Sequence, residues 1–300
     1  MVTIVCGFMV ILLEIENPFR MMLYNVLSPN FTSNIWWMGT LYGICMFFMI
    51  IEFGLIHLNF HKSAVVTGLI ALTADIAANG NLGAIFGMLY GRDLWYGPFL
   101  PIFFITSGTM TGAAAIIFFT WLAYKINGKT MEPAMAQALK SVAKLCALLI
   151  VIVLFFITWN IVTGLVGNER KVNAIYSYLT GAYAVNFWIF EIFFALLIPL
   201  ALLLLARGKN IRMMLGASIF MLIGIFVMRY DFVILGQVVS GFQEMGVNEY
   251  RHLLVYTPSF HEIGIVVGAF GLAAISFMLG ERVFKGHTVE PYDEEKGGQS

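Results

Sequence analysis

Arg229 and Asp231 stand two residues apart inside an apolar run near 211–240, and Glu52, His57, Asp75 and Glu191 lie in other such runs. Each charge in hydrocarbon costs about 2.5–3.5 kcal/mol on the insertion scale, so each calls for a partner or a task. A spacing of two puts Arg229 and Asp231 on different helix faces. That pattern suits two structural ion pairs as well as a reactive site. His261 opens the last apolar run. An imidazole, with an ordinary pKa of about 6.5, takes and gives protons at working pH. This is what oxidation of a quinol requires, because two protons leave the ring with two electrons. On that chemistry His261 is the expected base. Arg92 or Arg229 would hydrogen-bond a ring carbonyl, and Asp231 would orient the arginine or accept a proton. Asn81 would reach the other oxygen. Trp95 and Tyr96 would wall the ring, although aromatics at this level also serve as interfacial anchors. Glu262 has a structural reading as well: Ser259-Phe260-His261-Glu262 after Pro258 is a capping box.

Other chemistries lack residues. His57 and His61 share one helix, His261 lies at the opposite face, and His252 and His287 fall in a loop and the tail, so no facing pair is placed for a haem. Cys6, Cys45 and Cys146 sit singly in apolar runs without a CxxC pair, which leaves no ligand set for an iron–sulfur cluster or other metal. They read as small buried hydrophobes.

The elements that must position these groups follow from composition. Apolar residues make up 60% of the 300 and charged ones 11%, with a mean hydropathy of +0.87. A soluble domain carries roughly 25% charge, so this is an all-α, polytopic integral membrane protein. Equal numbers of acidic and basic residues give no global field for nucleic acid. A span needs about 20 apolar residues. Seven runs qualify, near 34–60, 63–90, 97–125, 138–166, 176–206, 211–240 and 259–284. An eighth, Val2–Leu13, is short, lacks signal-peptide features and ends before Pro18, as expected of the tail of a span whose beginning is missing.

Loops alternate between two sides, A and B. Side A holds Arg20, Arg92, Arg170, Lys171 and Arg251, against eleven basic residues on side B, among them Lys62, Lys125, Lys129, Lys140 and Lys144. The positive-inside bias makes side B cytoplasmic, together with the polar tail 285–300. By depth, Asp231, Asp75, Glu191 and Glu52 descend from A to B, with Glu191 in the B half. Buried carboxyls can hold a proton near neutrality, so the four form a candidate proton path. Asn79-Gly80-Asn81 suggests a helix break, with either a cavity there or a satisfied polar contact between helices, and Gly83/Gly87/Gly91, Gly108/Gly112 and Gly264/Gly268 predict close helix approaches.

The run Glu14-Ile15-Glu16-Asn17-Pro18-Phe19-Arg20, then Leu27-Ser28-Pro29-Asn30 and Trp36-Trp37-Met38-Gly39, resembles the NrfD/PsrC family of quinone-interacting membrane subunits. So do Leu82–Gly87, Trp95–Pro101, Ser107, Arg229-Tyr230-Asp231, Gln237 and Tyr256–Glu262, in the same order along nearly the whole chain. Asn81 departs from the aromatic or histidine expected there. The resemblance implies two four-helix bundles over 1–284, no redox cofactor bound by this chain, and (mena)quinone as substrate near the outer face. It also implies a prokaryotic cytoplasmic membrane and a periplasmic-side, ferredoxin-like iron–sulfur partner with further subunits. Arg92, Ser107, Gln237 and Glu262 join His261, Arg229 and Asp231 among the expected quinone contacts. The stretch 95–101 is similar to the DsrP and HmcC type subunits, pointing to anaerobic sulfur respiration. The alternative from the residues alone is a secondary transporter or a proton-translocating subunit without quinone chemistry.

Overall fold

Hydrocarbon offers no partner to backbone amides, so a chain this apolar satisfies them within helices. The computed structural model describes residues 1–208, 210–239 and 256–284, and these are helical with no strand. The helices are α1 (Val2–Glu14), α2 (Pro18–Leu27), α3 (Asn34–His57), α4 (His61–Gly87), α5 (Phe99–Ile126), α6 (Pro133–Leu165) and α7 (Glu169–Leu179). A π-helical segment, Asn186–Leu197, then runs into α8 (Ile198–Ala206), followed by α9 (Ile211–Val238) and α10 (Phe260–Phe284). Among the described residues, seven helical spans are long and apolar enough to cross a membrane, and α1 with α2 forms a further pair bent by 114°. Pro18 begins α2 and sets that bend. Lys209, residues 240–255 with Arg251 and His252, and residues 285–300 with Lys285, His287 and Lys296 lie outside the described residues.

Local sequence explains where the helices stop. Ser33 caps α3 by accepting from the Trp36 amide, Asn168 caps α7 through Lys171, and Asn210 caps α9 through Arg212 and Met213. At α10 the Ser259 hydroxyl accepts from the Glu262 amide at 3.2 Å while Glu262 accepts from the Ser259 amide at 2.6 Å, so the expected capping box is formed. The α8–α9 turn uses left-handed backbone at Arg207 and Gly208 (φ +46° and +68°). The 33 residues of α6 span about 50 Å, longer than the hydrocarbon core, so Lys140 and Lys144 near its start clear the lipid.

Helices α5, α6, the π-helical segment with α8, and α9 pack into one four-helix bundle whose core includes Met110, Ile117, Ile150, Leu196, Met221 and Leu235. Helices α1, α3, α4 and α10 make a second, looser group: α3 packs on α4, α1 on α10, and Phe8 meets Tyr42 edge-on. Helix α4 joins the halves by packing on α5. There Gly83 is required, because a Cβ would lie 2.6 Å from the Leu100 carbonyl oxygen. Gly264 and Gly268, by contrast, face open space.

The helix ends sort into two levels. On side A, Arg170 pairs with Asp93 at 3.5 Å, Asn168 donates to Asp93, and Arg92 reaches the end of α9. On side B, Phe53 and His57 meet Phe284, and Asn127 donates to Glu281.

Two expectations are corrected. Helix α4 runs unbroken through Asn79-Gly80-Asn81. The Asn79 amide donates back to the Asp75 carbonyl and carboxylate at 3.0 and 3.2 Å, and Asn81 donates to the Asn34 carbonyl at 2.7 Å, so both polar groups are satisfied without opening the helix. The irregular backbone lies instead at Asn186–Leu197. Its neighbour Gly224 lets α9 approach backbone to backbone, since a Cβ there would sit 2.5 Å from the Phe190 oxygen and 2.7 Å from Ala195 Cα. The second correction is depth. The apolar run 176–206 is divided, with α7 separate and the span beginning only at Asn186, which puts Glu191 in the A half.

Candidate functional site

On α9 the two charged residues face different neighbours, as their spacing requires. The Arg229 guanidinium donates to the Ser107 hydroxyl on α5 at 2.7 Å and lies 4.2 Å over the Phe104 ring. Ser107 in turn donates to the Phe103 carbonyl. Asp231 is fully buried and faces the π-helical segment, where the Asn186 amide donates to its Oδ1 at 2.9 Å. Glu191, also buried, meets Asp231 carboxyl to carboxyl within hydrogen-bonding reach.

A cavity of about 60 Å³ adjoins this cluster, with Arg229, Glu191, Asn160, Tyr178, Phe103 and Phe232 among its walls. One water needs some 10–15 Å³, so the space admits a few waters and not a quinone ring. Tyr178 belongs to α7, outside the spans; burial first, then the Glu191 and Asp231 carboxyls, hold its phenol well above the ordinary value, so it remains a donor.

His261 stands elsewhere. A groove of about 460 Å³ runs between α1 and α10, lined by Cys6, Met9, Val10, Leu13, Phe260, His261 and the α10 residues down to Leu272. Its size is that of a small-molecule site, its walls are apolar, and His261 is the ionisable side chain among them apart from the Cys6 thiol. It shares no lining residue with the first cavity. At the neighbouring residue, Glu262 accepts from the Tyr256 hydroxyl at 3.0 Å.

The remaining expected contacts are distributed between packing and surface. The Arg92 guanidinium donates to the Gln237 and Val239 carbonyls at 2.8 and 3.1 Å, which ties the α4–α5 loop to the end of α9. Trp95 is buried, donates from Nε1 to the Phe232 carbonyl at 2.9 Å and fills the space that a Cβ at Gly236 would need. Tyr96 is exposed against Tyr90, and the Gln237 side chain is exposed. Asp75 is held by Asn79, and Tyr42 lies within electrostatic reach of both Asp75 and Arg229. The Glu52 carboxyl lies against Gly68 of α4. The structure therefore brings Arg229, Ser107, Glu191 and Asp231 together, and sets His261, Asn81, Arg92 and Glu52 apart from them. Asn186, Asn160 and Tyr178 escape sequence reasoning: an amide at a span start and a tyrosine in a short helix carry no signal until the helices are packed. Among the described residues, no three His, Cys, Asp or Glu side chains converge as a metal site would require.

The sequence profile of the polysulphide reductase NrfD family matches residues 1–241, and the chain belongs to that family. It is 27% identical over 225 residues to a selenate reductase subunit of Mesobacillus selenatarsenatis, covering 73% of this chain and 51% of that one. It is 30% identical over 163 residues to the NrfD homolog of Haemophilus influenzae, covering 52% and 49% of the two chains. To the Hdr-like menaquinol oxidoreductase integral membrane subunit of Archaeoglobus fulgidus it is 22% identical over 267 residues, covering 85% and 66%. The chain thus spans about half to two thirds of the length of these relatives. It is a multi-pass integral membrane protein of the NrfD family.

Proposed function

We propose that this chain is the quinone-reactive membrane subunit of a respiratory oxidoreductase complex, exchanging electrons between the menaquinone pool and an iron–sulfur partner docked on side A. The observation that carries the reading is the groove between α1 and α10. It is large enough for a quinone head and apolar enough for the start of its tail, and it has one imidazole at its A-side end. The quinone supplies the two-electron chemistry; this chain binds it, and His261 takes up a leaving proton at its ring nitrogen. The capping box beside it fixes the backbone that presents the imidazole. The names of the selenate reductase and menaquinol oxidoreductase relatives support the class of complex.

The reading includes an orientation, with side B cytoplasmic on the eleven-to-five bias of basic residues. Its finer form, a place in sulfur or sulfite respiration, rests on the 95–101 resemblance and is tested by whether sulfite- or sulfur-reductase genes neighbour this one. The direct experiment is His261→Ala in the assembled complex. Losing a general base costs on the order of 10²–10⁴ in rate, so quinol-dependent electron transfer should fall by that factor while the partner subunits remain bound. Full activity with normal binding of a quinone-site inhibitor would sink the assignment.

A further inference from the structure

Asp231 is 0% exposed and Glu191 4%. Asn186 satisfies one oxygen of Asp231, but Asp231 Oδ2 and Glu191 Oε1 are buried with no donor, while the two carboxyls lie within hydrogen-bonding reach of each other. A buried carboxylate oxygen without a donor is costly, and two ionised carboxylates side by side repel. A single proton between them converts that repulsion into an O–H···O⁻ hydrogen bond and gives both orphaned oxygens a partner.

Charge balance points the same way. Arg229 is bonded to the Ser107 hydroxyl and stacked on Phe104, and it shares a cavity wall with Glu191. A pair holding one proton carries one negative charge, which neutralises Arg229. With no proton the cluster is left negative, and with two the guanidinium is left unbalanced. The other titratable groups facing the pair are Tyr178 of α7, Tyr183 in the turn before the π-helical segment and Tyr230 of α9. Burial raises Tyr178 and Tyr183 above the ordinary value, so neither phenol competes as a base. Beyond Arg229, Tyr42 of α3 lies within its electrostatic reach.

We propose that Glu191 and Asp231 together bind a single proton, at a site separate from the quinone groove, and that this proton exchanges with side A through the cavity at Glu191. Glu191 lines that cavity and Asp231 does not, so Glu191 is the member in touch with water. Asn160 near the A end of α6 and Tyr178 on α7 give the few waters polar partners on the way out. The site stands on its own geometry and does not depend on the quinone reading.

Infrared difference spectroscopy of the full chain in nanodiscs, recorded against pH and in D₂O, tests this without any quinone. The wild type should show one protonated-carboxyl band that shifts in D₂O and disappears on alkaline titration. Glu191→Gln and Asp231→Asn should each lose the band, because the introduced amide donates to the remaining carboxylate, which then balances Arg229. Both variants keep volume and charge balance, and thermal unfolding confirms that each is folded. A band retained in either folded variant overturns the shared proton. A wild type without the band, whose spectrum responds to sodium ions and not to pH, overturns it in favour of a bound cation. Asn160→Leu should keep the band and slow its shift in D₂O; an unchanged rate overturns the route to side A.

Discussion

Replacing Trp95 by phenylalanine separates a structural plug from a ring-binding wall. The indole Nε1 donates to the Phe232 carbonyl at 2.9 Å, and the ring packs against Phe86 and Phe232 at centroid distances of 5.0 and 6.0 Å. Phenylalanine removes the hydrogen bond, worth about 0.5–1.5 kcal/mol net. The Phe232 carbonyl keeps its helical partner and is not orphaned. The lost ring volume adds on the order of 1 kcal/mol, the scale of one or two buried methylenes. A total of about 2 kcal/mol should lower the melting temperature of the detergent-solubilised protein by about 3 °C, on an unfolding entropy of about 2.1 cal/mol/K per residue. Gly236→Ala, whose Cβ would enter the indole, should cost a similar about 1–3 kcal/mol by overpacking. In the double variant the smaller ring leaves room for the methyl group, so the combined loss should be less than the two single losses together. The assay is thermal unfolding of the four proteins at one scan rate, with quinol KM measured in parallel. Strict additivity, or an unchanged melting temperature with a raised KM in Trp95→Phe, would refute the plug and return Trp95 to the quinone.

Three further outcomes follow from described geometry. Gly224→Ala should destabilise by about 1–3 kcal/mol, since its Cβ meets backbone, whereas Gly216→Ala on the same helix meets only Leu202 Cδ1 at 3.8 Å and should gain up to about 1 kcal/mol of helix propensity; equal effects in thermal unfolding would sink the argument. Cysteines introduced at Lys129 and Glu169 should react with a membrane-impermeant maleimide from opposite sides, Lys129→Cys from the cytoplasm, over low background because the native thiols are buried; labelling of Glu169→Cys only from the cytoplasm reverses the orientation. Ser259→Ala should cost about 1 kcal/mol through the lost cap and lower quinol turnover far less than His261→Ala does, since the imidazole itself remains; a loss of turnover as large as that of His261→Ala would show that the cap itself takes part in the chemistry.

The spans are legible because hydrocarbon imposes a length and a composition that no soluble core imitates, and the α10 cap because its four residues are contiguous. What sequence does not show is adjacency. Glu191 and Asp231 are forty positions apart, and depth alone orders them with Asp75 and Glu52, which packing sends to Asn79 and Gly68. The aromatic residues Tyr176 and Tyr178 blend α7 into the following span, so depth counted along the sequence places Glu191 too far toward side B. Asn79-Gly80-Asn81 resembles a break because an amide in lipid calls for a partner; both amides find one on or beside the same helix. The π-helical turn has no composition signal at all, since it reflects how closely α9 approaches.

That approach has a mechanical consequence. Near its middle α9 lies against the backbone of the π-helical segment at Gly224, and at its A end it is wedged by the Trp95 ring at Gly236. Gripped at two heights, it behaves as a fixed spindle: turning it would drive backbone into backbone below and an indole into backbone above. Its two charges sit between those grips, so Arg229 and Asp231 keep their bearings toward α5 and the π-helical segment together. Helix α10 has no such clamp, because Gly264, Gly268, Gly271 and Gly280 all face open space. A ligand beside His261 would therefore lie against α1 and α10, away from these grips and from the pair at Glu191 and Asp231.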